Sequence, residues 1–468
     1  MMSRRWHLAQ PVLLALEAAA VVIVDPLVSP LLPHALWRMT GLVASPLQLT
    51  PILLVVALAG LALGRVSRRW PAFPLSACIA LLLAAQMNGL RSGPFDLFDL
   101  ALAVVFLVWL ATRALDTDRP IFFPPLLVAA GMLVLIAILH LAIQNPVRWF
   151  IGTFGIVRAA LVAFLMIDLV RDLATLNRAL RAFLVLAVAS AVVGIVQFML
   201  AYLGIYVFTL ISPPETAFKP TPIGYVMRAS ALCITAQHYS SFLVYALPIG
   251  LWRLADRRRW RDLLAVGLIL TGILVSWNFG AVIVAMVLTL VFPFLRWPHL
   301  SLHFALAIVA VMALAWFTGL WQVLYDLSFG DAGVAKGVSQ RHTLFGLGLE
   351  KISRNPLVGT GPQGFAAYDG NFWGRPVHNA FGQAATELGV AGAVVLGAAF
   401  FWLVGRLASA SLTDGARRAP AAILLLMVLA ALQLAQSEPN LDHVNTWLVL
   451  GLGQALLLIR QRDPDGTS

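Results

Sequence analysis

Apolar runs of about 17–25 residues recur along this chain, each long enough to cross roughly 30 Å of hydrocarbon as a helix. Backbone N–H and C=O groups inside lipid must be bonded within the protein, which leaves helices or a closed barrel. Runs such as Leu263–Val275 and Ala421–Leu434 lack the alternation of a barrel strand, so helices are expected. Composition points the same way: 60% of residues are hydrophobic and 11% charged, whereas soluble domains carry about a quarter charged residues. The expectation is an all-α, polytopic helical membrane protein with about 12–14 transmembrane helices. Residues 1–468 would form one integral membrane domain with no separable soluble part.

Hydropathy predicts spans at 11–32, 47–64, 72–88, 95–112, 121–143, 149–170, 182–204, 229–252, 263–277, 279–295, 300–320, 379–405, 420–437 and 446–460. The net charge of +11 would suit nucleic acid if it were clustered on one surface, but it is distributed by connection. Alternate connections carry most of the 32 Lys and Arg, for example Arg65, Arg68 and Arg69, then Arg171, Arg178 and Arg181, then Arg253 and Arg257 to Arg259. The intervening short loops hold mainly Arg38, Arg91 and Arg148. The positive-inside rule then puts both termini in the cytoplasm and gives no reason to expect a nucleic-acid partner. The start, MMSRRWHLAQPVLLALEAAAVVIV, has the look of a signal peptide, but Glu17 interrupts its apolar core and the topology closes only if it stays as the first span. Cys78 and Cys233 both fall inside predicted helices and read as small core residues.

One connection is out of scale. Residues 321–378 form a loop of nearly sixty residues on the outer side, where compact proteins rarely exceed about 15 residues without a function. Within it Ser339–Ser353 reads as a short helix, ended by Asn355-Pro356 because the residue before proline avoids helical backbone. A glycine-rich turn, GTGPQGF at 359–365, follows. A second outer loop, 205–228, contains PPE and KPTP and leads into Arg228. The two are expected to cap an outward-facing cavity.

Candidate functional residues lie where these loops meet the spans. His378 precedes the span in VHNAFGQAATELGVAG; the positive end of that helix attracts an anion and keeps the imidazole neutral, able to accept a proton. The bland alternative is an interfacial histidine bonded to loop carbonyls. Arg228 opens the span 229–252, where an arginine is costly unless it meets an anion or snorkels to headgroups. Gln237 and His238 would lie about two and a half turns deeper and line a cavity floor or form a core pair. Arg341 lies on the amphipathic segment of the large loop, with Glu350 and Arg354 sharing its polar face and Leu344, Leu347, Leu349 and Ile352 supplying apolar contacts. Arg158, in the sixth span, is a candidate for a phosphate or for one of Asp96, Asp99, Glu17 or Asp168. Asn379, Gln383 and Glu387 share a helix face, with Glu387 expected to pack or orient. No HExxH, outward DxD or Cys/His cluster offers metal ligands, so neither a metal nor another cofactor is expected.

Three segments in this order resemble the O-antigen ligase and O-antigen polymerase superfamily of bacterial membrane glycosyltransferases. They are Arg228-Ala-Ser; Arg341 followed by Asn355-Pro356-Leu357-Val358-Gly359-x-Gly361-Pro362-x-Gly364-Phe365; and His378-Asn379 followed by Glu387-x-Gly389-x-x-Gly392. The resemblance covers roughly residues 225–405. It implies a glycosyltransferase C-like fold in the bacterial inner membrane, with the large loop and the active site periplasmic. It also implies metal-independent inverting transfer of an oligosaccharide from a polyprenyl-diphosphate-linked donor, with His378 taking the acceptor proton and Arg228 and Arg341 holding the diphosphate. The acceptor would be a second lipid-linked glycan (polymerase) or a lipid A-core sugar in lipopolysaccharide assembly (ligase). The number of predicted spans is closer to the polymerases. One departure stands out: where the family often has a Ser-Arg-Gly-like turn, this chain has Ser276-Trp277-Asn278-Phe279-Gly280, so Arg158 or Lys336 would have to substitute. The competing class is a transporter of a lipid-linked glycan or small anion, which would explain intramembrane arginines but does not need the long loop.

Overall fold

A computed structural model of the protein describes residues 73–86, 91–92, 95–115, 123–140, 146–203, 218–221, 224–319, 332–413 apart from 369 and 373, 415–436 and 441–462. Predicted spans 11–32 and 47–64 lie outside the described residues. The described part is helical: α1 Phe73–Gln86, α2 Leu97–Leu115, α3 Pro125–Leu139, α4 Pro146–Leu169, α5 Leu173–Tyr202, α6 Ala236–Arg257, α7 Trp260–Val275, α8 Phe279–Arg296, α9 Ser301–Phe317, α10 Ala332–Arg354, α11 Ala380–Thr413, α12 Arg418–Ala435 and α13 Val444–Arg462. Two short antiparallel pairings accompany them, β1 Arg91–Ser92 with β2 Phe95–Asp96 and β3 Phe218–Thr221 with β4 Gly224–Met227. Among the described residues, five helices are long and apolar enough to cross a membrane: α4, α5, α8, Ala380–Leu412 within α11, and α12. Shorter apolar helices occur at Phe73–Ala85, Pro125–Leu139, Pro298–Leu314 and Val444–Ile459.

Local sequence sets the helix ends. Asp172 caps α5, accepting from the Thr175 N–H at 2.7 Å, and Pro125 takes the first turn of α3, where a missing N–H costs nothing. Small residues let helices close on one another: a Cβ on Gly451 of α13 would lie 2.9 Å from the Ala163 carbonyl oxygen of α4, and one on Gly272 of α7 would lie 2.7 Å from Leu243 of α6. Large apolar side chains such as Leu100, Leu135, Val185, Met286, Leu306 and Met312 remain exposed on the outside of the bundle. A soluble protein rarely leaves so much apolar surface in water; a lipid environment removes the penalty.

Short connections sort the chemistry to two ends. Two residues join α6 to α7 and three join α7 to α8, so the start of α6, the end of α7 and the start of α8 share one end. That end also holds the start of α13, because Tyr245 of α6 hydrogen-bonds Thr446 of α13 at 3.0 Å, and the start of α11, because the Asn379 amide donates to Gln436 beyond α12 at 3.0 Å. The opposite end carries the arginine-rich connections. There Asp168 binds Arg113 at 2.6 Å and Arg171 at 2.9 Å, Asp262 binds Arg253 at 3.2 Å, and Asp256 binds Arg296 at 2.7 Å. The alternation of arginines read from the sequence is therefore a segregation in space.

Two expectations about helix boundaries are corrected. Ala229–Thr235 is a non-helical turn and α6 begins only at Ala236. The Gln197 carboxamide oxygen of α5 accepts from the Ser230 and Ala231 N–H groups, both at 2.9 Å, which gives this backbone a partner other than a helical carbonyl. Thr235 then caps α6. Near the other motif, α11 is interrupted at Gly389, whose φ of 75° and ψ of 174° suit glycine alone.

Candidate functional site

The large loop is folded against the start of α11. Its helix α10 is longer than the predicted 339–353, and ends at Arg354 before Asn355-Pro356 as expected. Leu344 of α10, Phe365 and Val377 form a small buried cluster with Leu347 packed against it. Gly348 approaches so closely that a Cβ there would lie 3.0 Å from Val377 and 3.2 Å from Thr386. The chain after Asn355 then docks into the interruption in α11. The Thr360 and Gly361 N–H groups donate to the carbonyls of Thr386 and Glu387 at 2.8 and 2.7 Å, and Val390 N–H donates back to the Pro356 carbonyl at 2.8 Å. Glu387 completes the seam: its buried carboxyl accepts from Gln363 N–H at 3.0 Å and from the Gln383 amide at 3.5 Å. The orienting reading of Glu387 therefore has a concrete object, the glycine-rich turn. His140 at the end of α3 contacts the Val358 carbonyl through Nε2 and pins the same turn from below.

His378 sits just ahead of α11. Asn379 caps the helix, its Oδ1 accepting from the Gly382 N–H at 2.9 Å, so the imidazole stands at the positive end of the helix. Burial and the nearby guanidinium groups of Arg341 and Arg375 push the His378 pKa down to about 4. The ring is thus neutral at physiological pH, through burial and these two guanidinium groups, where the sequence pointed to the helix end. Arg341 reaches this position because it lies one turn before Leu344, on the stripe of α10 that packs on Val377.

Arg375 was not singled out from the sequence. Nothing in a lone loop arginine distinguishes it. Its position follows from Asn371, whose buried amide donates to the carbonyls of Phe365 and Arg375 at 2.9 and 2.8 Å. The expectation that Arg341 shares a polar face with Glu350 and Arg354 is corrected: Glu350 and Arg354 pair with each other at 2.6 Å. Arg341 lies nine residues before Glu350, about half a turn round the helix. Leu349, expected in an apolar contact, is half exposed.

Arg228 is anchored at a different corner of the same end. Its Nε donates to the Ser276 carbonyl at 3.3 Å, and Ala229 N–H donates to the Val275 carbonyl at 3.0 Å. The turn that lacks the arginine common in the resembled family is therefore the turn on which Arg228 lies. The β3–β4 hairpin delivers Arg228 to this place; residues 204–217 of the second loop lie outside the described residues. Asn278 of the same turn donates to Ser240 of α6 at 2.8 Å.

Gln237 and His238 are in the first turn of α6 and not the deeper positions expected, because the helix starts seven residues later than predicted. His238 bonds Thr235 at 2.6 Å and its ring packs on that of His443 at 4.4 Å. His443 and Asp442 precede α13, and the Asp442 carboxylate lies against α4, where a Cβ on Gly155 would meet it at 2.9 Å. Arg158, one turn further along α4, pairs with Asp99 at 3.2 Å, lies over the Phe98 ring, and acts electrostatically on Asp442 and His443. Of the partners weighed, Asp99 is observed among the described residues. Asp168 is engaged by Arg113 and Arg171, and Glu17 and the side chains of Asp96 and Lys336 lie outside the described residues. Asp442-His443 was also missed; its signal was a short polar connection, LDHVN, between two spans.

The arrangement offers a neutral imidazole beside two guanidinium groups at a helix N-terminus, and a histidine pair with an ionic floor toward the bundle interior. Among the described residues no group of three or more His, Cys, Asp or Glu side chains is placed to hold a metal ion. A scan against protein-family models finds no match to this chain, and a search of the curated proteins finds none either.

Proposed function

We propose that the protein is an inner-membrane glycosyltransferase that moves an oligosaccharide from a polyprenyl-diphosphate carrier to a sugar hydroxyl on the periplasmic face, with a glycosyltransferase C-like arrangement of about 12–14 spans. The observation that carries the reading is the convergence of His378, Arg341 and Arg375 at the start of α11. In this reaction the acceptor hydroxyl attacks the anomeric carbon, the bond from that carbon to the diphosphate oxygen breaks, and configuration inverts. His378 accepts the hydroxyl proton, while the guanidinium groups take the charge developing on the leaving diphosphate without having to reorganise.

A histidine held near pKa 4 is a weak base when the site is empty. A diphosphate between Arg341 and Arg375 offsets their field, and the imidazole pKa rises toward the operating pH. Donor binding thereby switches on the base. Arg228, at the neighbouring corner, is assigned to the donor's phosphates or its first sugar, and Asn379 and Glu387 hold the helix start and the glycine-rich turn that frame His378.

The acceptor favoured is a second lipid-linked glycan, which makes the protein a repeat-unit polymerase; lipid A-core would make it a ligase. Reconstitution with polyprenyl-diphosphate glycan, offering either acceptor in the presence of EDTA, tests the proposal. A ladder of products supports polymerase and a single capped core lipid supports ligase. Uptake of glycan into vesicles without new glycosidic bonds overturns the transferase reading in favour of a transporter.

A further inference from the structure

The large loop carries apolar side chains that its own small core does not take up. In α10, Leu344 and Gly348 face Val377, but Phe345 and Leu349, a turn apart on the adjoining stripe, are 45% and 51% exposed. Ile352 follows them on the same stripe, and the ion pair of Glu350 and Arg354 lies on the far side of the helix. Just beyond the helix end, Leu357 is 79% and Val358 50% exposed. A contiguous apolar patch of this kind marks a surface that something other than water covers.

The surroundings of Leu357 and Val358 indicate what that is. The Val390 N–H bonds the Pro356 carbonyl at 2.8 Å, which seats Leu357 beside Val390. Val390 opens an exposed stripe on α11 that continues through Val394 and Phe401 along the spanning helix. On the other side, the Val358 carbonyl is held by His140, which directly follows the exposed side chains of Ile138 and Leu139 at the end of α3. Helices α3 and α11 pack on each other. The two loop residues thus sit at the end of a seam between two apolar helices, level with side chains on the outside of the bundle. Their exposure continues the lipid-facing wall, and α10, which runs into this segment at Arg354, extends it through Leu349 and Phe345.

We propose that the large loop is seated in the membrane leaflet on the His378 side. Leu357 and Val358 enter the hydrocarbon between α3 and α11, and α10 lies along the interface with Phe345, Leu349 and Ile352 toward the acyl chains. The partner is the lipid leaflet itself, into which interfacial helices bury an apolar face by about 5–10 Å. Glu350 and Arg354 are left to headgroups and water. Arg341, one turn before Phe345 on the same stripe, is held at headgroup level. The loop and the start of α11 then ride together on the leaflet surface, whatever reaction the site performs.

The test uses the full chain in proteoliposomes. Cys78 and Cys233 are fully buried, so a single introduced cysteine takes a nitroxide label selectively. Leu349→Cys and Leu357→Cys are compared with Val394→Cys on the outside of α11 and Thr343→Cys on the polar side of α10. The label's collisions are measured with oxygen, which concentrates in hydrocarbon, and with a water-soluble nickel chelate. All four side chains are exposed, so the variants should unfold like wild type. The oxygen-to-nickel collision ratio for Leu349→Cys and Leu357→Cys is expected to match that of Val394→Cys and to exceed that of Thr343→Cys several-fold. Ratios equal to that of Thr343→Cys overturn the proposal and leave the loop in water. A lipid-like ratio for Leu357→Cys with a water-like one for Leu349→Cys overturns the placement of α10. Few collisions with either reagent also overturn the proposal, because another protein segment then covers the patch.

Discussion

Replacing Gly389 by alanine should undock the glycine-rich turn from α11. At φ 75° and ψ 174° the backbone of Gly389 is in a region that costs a side-chain-bearing residue about 1–3 kcal/mol. The new Cβ would also lie 2.1 Å from the Leu357 carbonyl oxygen and 2.6 Å from its carbon, both backbone atoms that cannot swing aside. Relieving that overlap costs about 1–3 kcal/mol more, and it pulls the Val390 N–H away from the Pro356 carbonyl, now at 2.8 Å, for about 1 kcal/mol. These terms overlap, and the local cost is about 3–5 kcal/mol. Hydrogen exchange reads the result directly: the Gly361 and Val390 amides should exchange roughly two to three orders of magnitude faster. Gly397→Ala, on the same helix but with nothing nearer than Phe381 at 3.9 Å, is the control. It should be neutral or stabilising by up to about 1 kcal/mol. Unchanged protection of Gly361 in Gly389→Ala would refute the claim that the interruption in α11 exists to receive the loop.

His378→Ala should abolish glycan transfer with expression and unfolding temperature near wild type, measured by product formation in proteoliposomes. Arg341→Ala or Arg375→Ala removes a charge that depresses the His378 pKa, so the acid limb of kcat/KM should move to higher pH; an unmoved limb would separate His378 from the titration. Because the folded pKa of His378 is lowered, the unfolded chain binds more protons between about pH 4 and 6.5, and this residue's contribution to stability falls as pH falls through that window. Its loss in His378→Gln should flatten the pH dependence of unfolding there. Arg158→Leu removes the 3.2 Å ion pair to the partly buried Asp99 carboxylate and should cost about 1–3 kcal/mol, with the loss partly recovered in the Arg158→Leu, Asp99→Asn double variant, as judged by chemical unfolding.

The helical class and the positions of most helices were legible because both depend on hydropathy and proline, which are local. Every predicted span from 72 onward finds a helix, and the end of α10 at Arg354 follows from Asn355-Pro356. The start of α6 was not legible, because the residue that diverts Ser230 and Ala231 from a helix is Gln197, more than thirty positions earlier. The sequence pointed to a neutral His378 because it precedes a helix, whereas burial and the guanidinium groups of Arg341 and Arg375 are what lower its pKa. Its neighbours were legible only in part: Arg341 came from an ordered motif, whereas Arg375 is placed by Asn371 and a loop conformation that no periodicity encodes. Arg158 could be recognised as needing a partner, but choosing Asp99 over Asp168 required knowing that Arg113 and Arg171 had already claimed the latter.

The break at Gly389 leaves Ala380–Leu388 as a stub of about two and a half turns. Through the carbonyls of Thr386 and Glu387 that stub is sutured to the loop. The imidazole thus takes its coordinates from the cap above it and not from the long, lipid-facing remainder of the helix. Tilting of that remainder as bilayer thickness varies is absorbed at the glycine, and the geometry around His378 is insulated from the membrane that carries it.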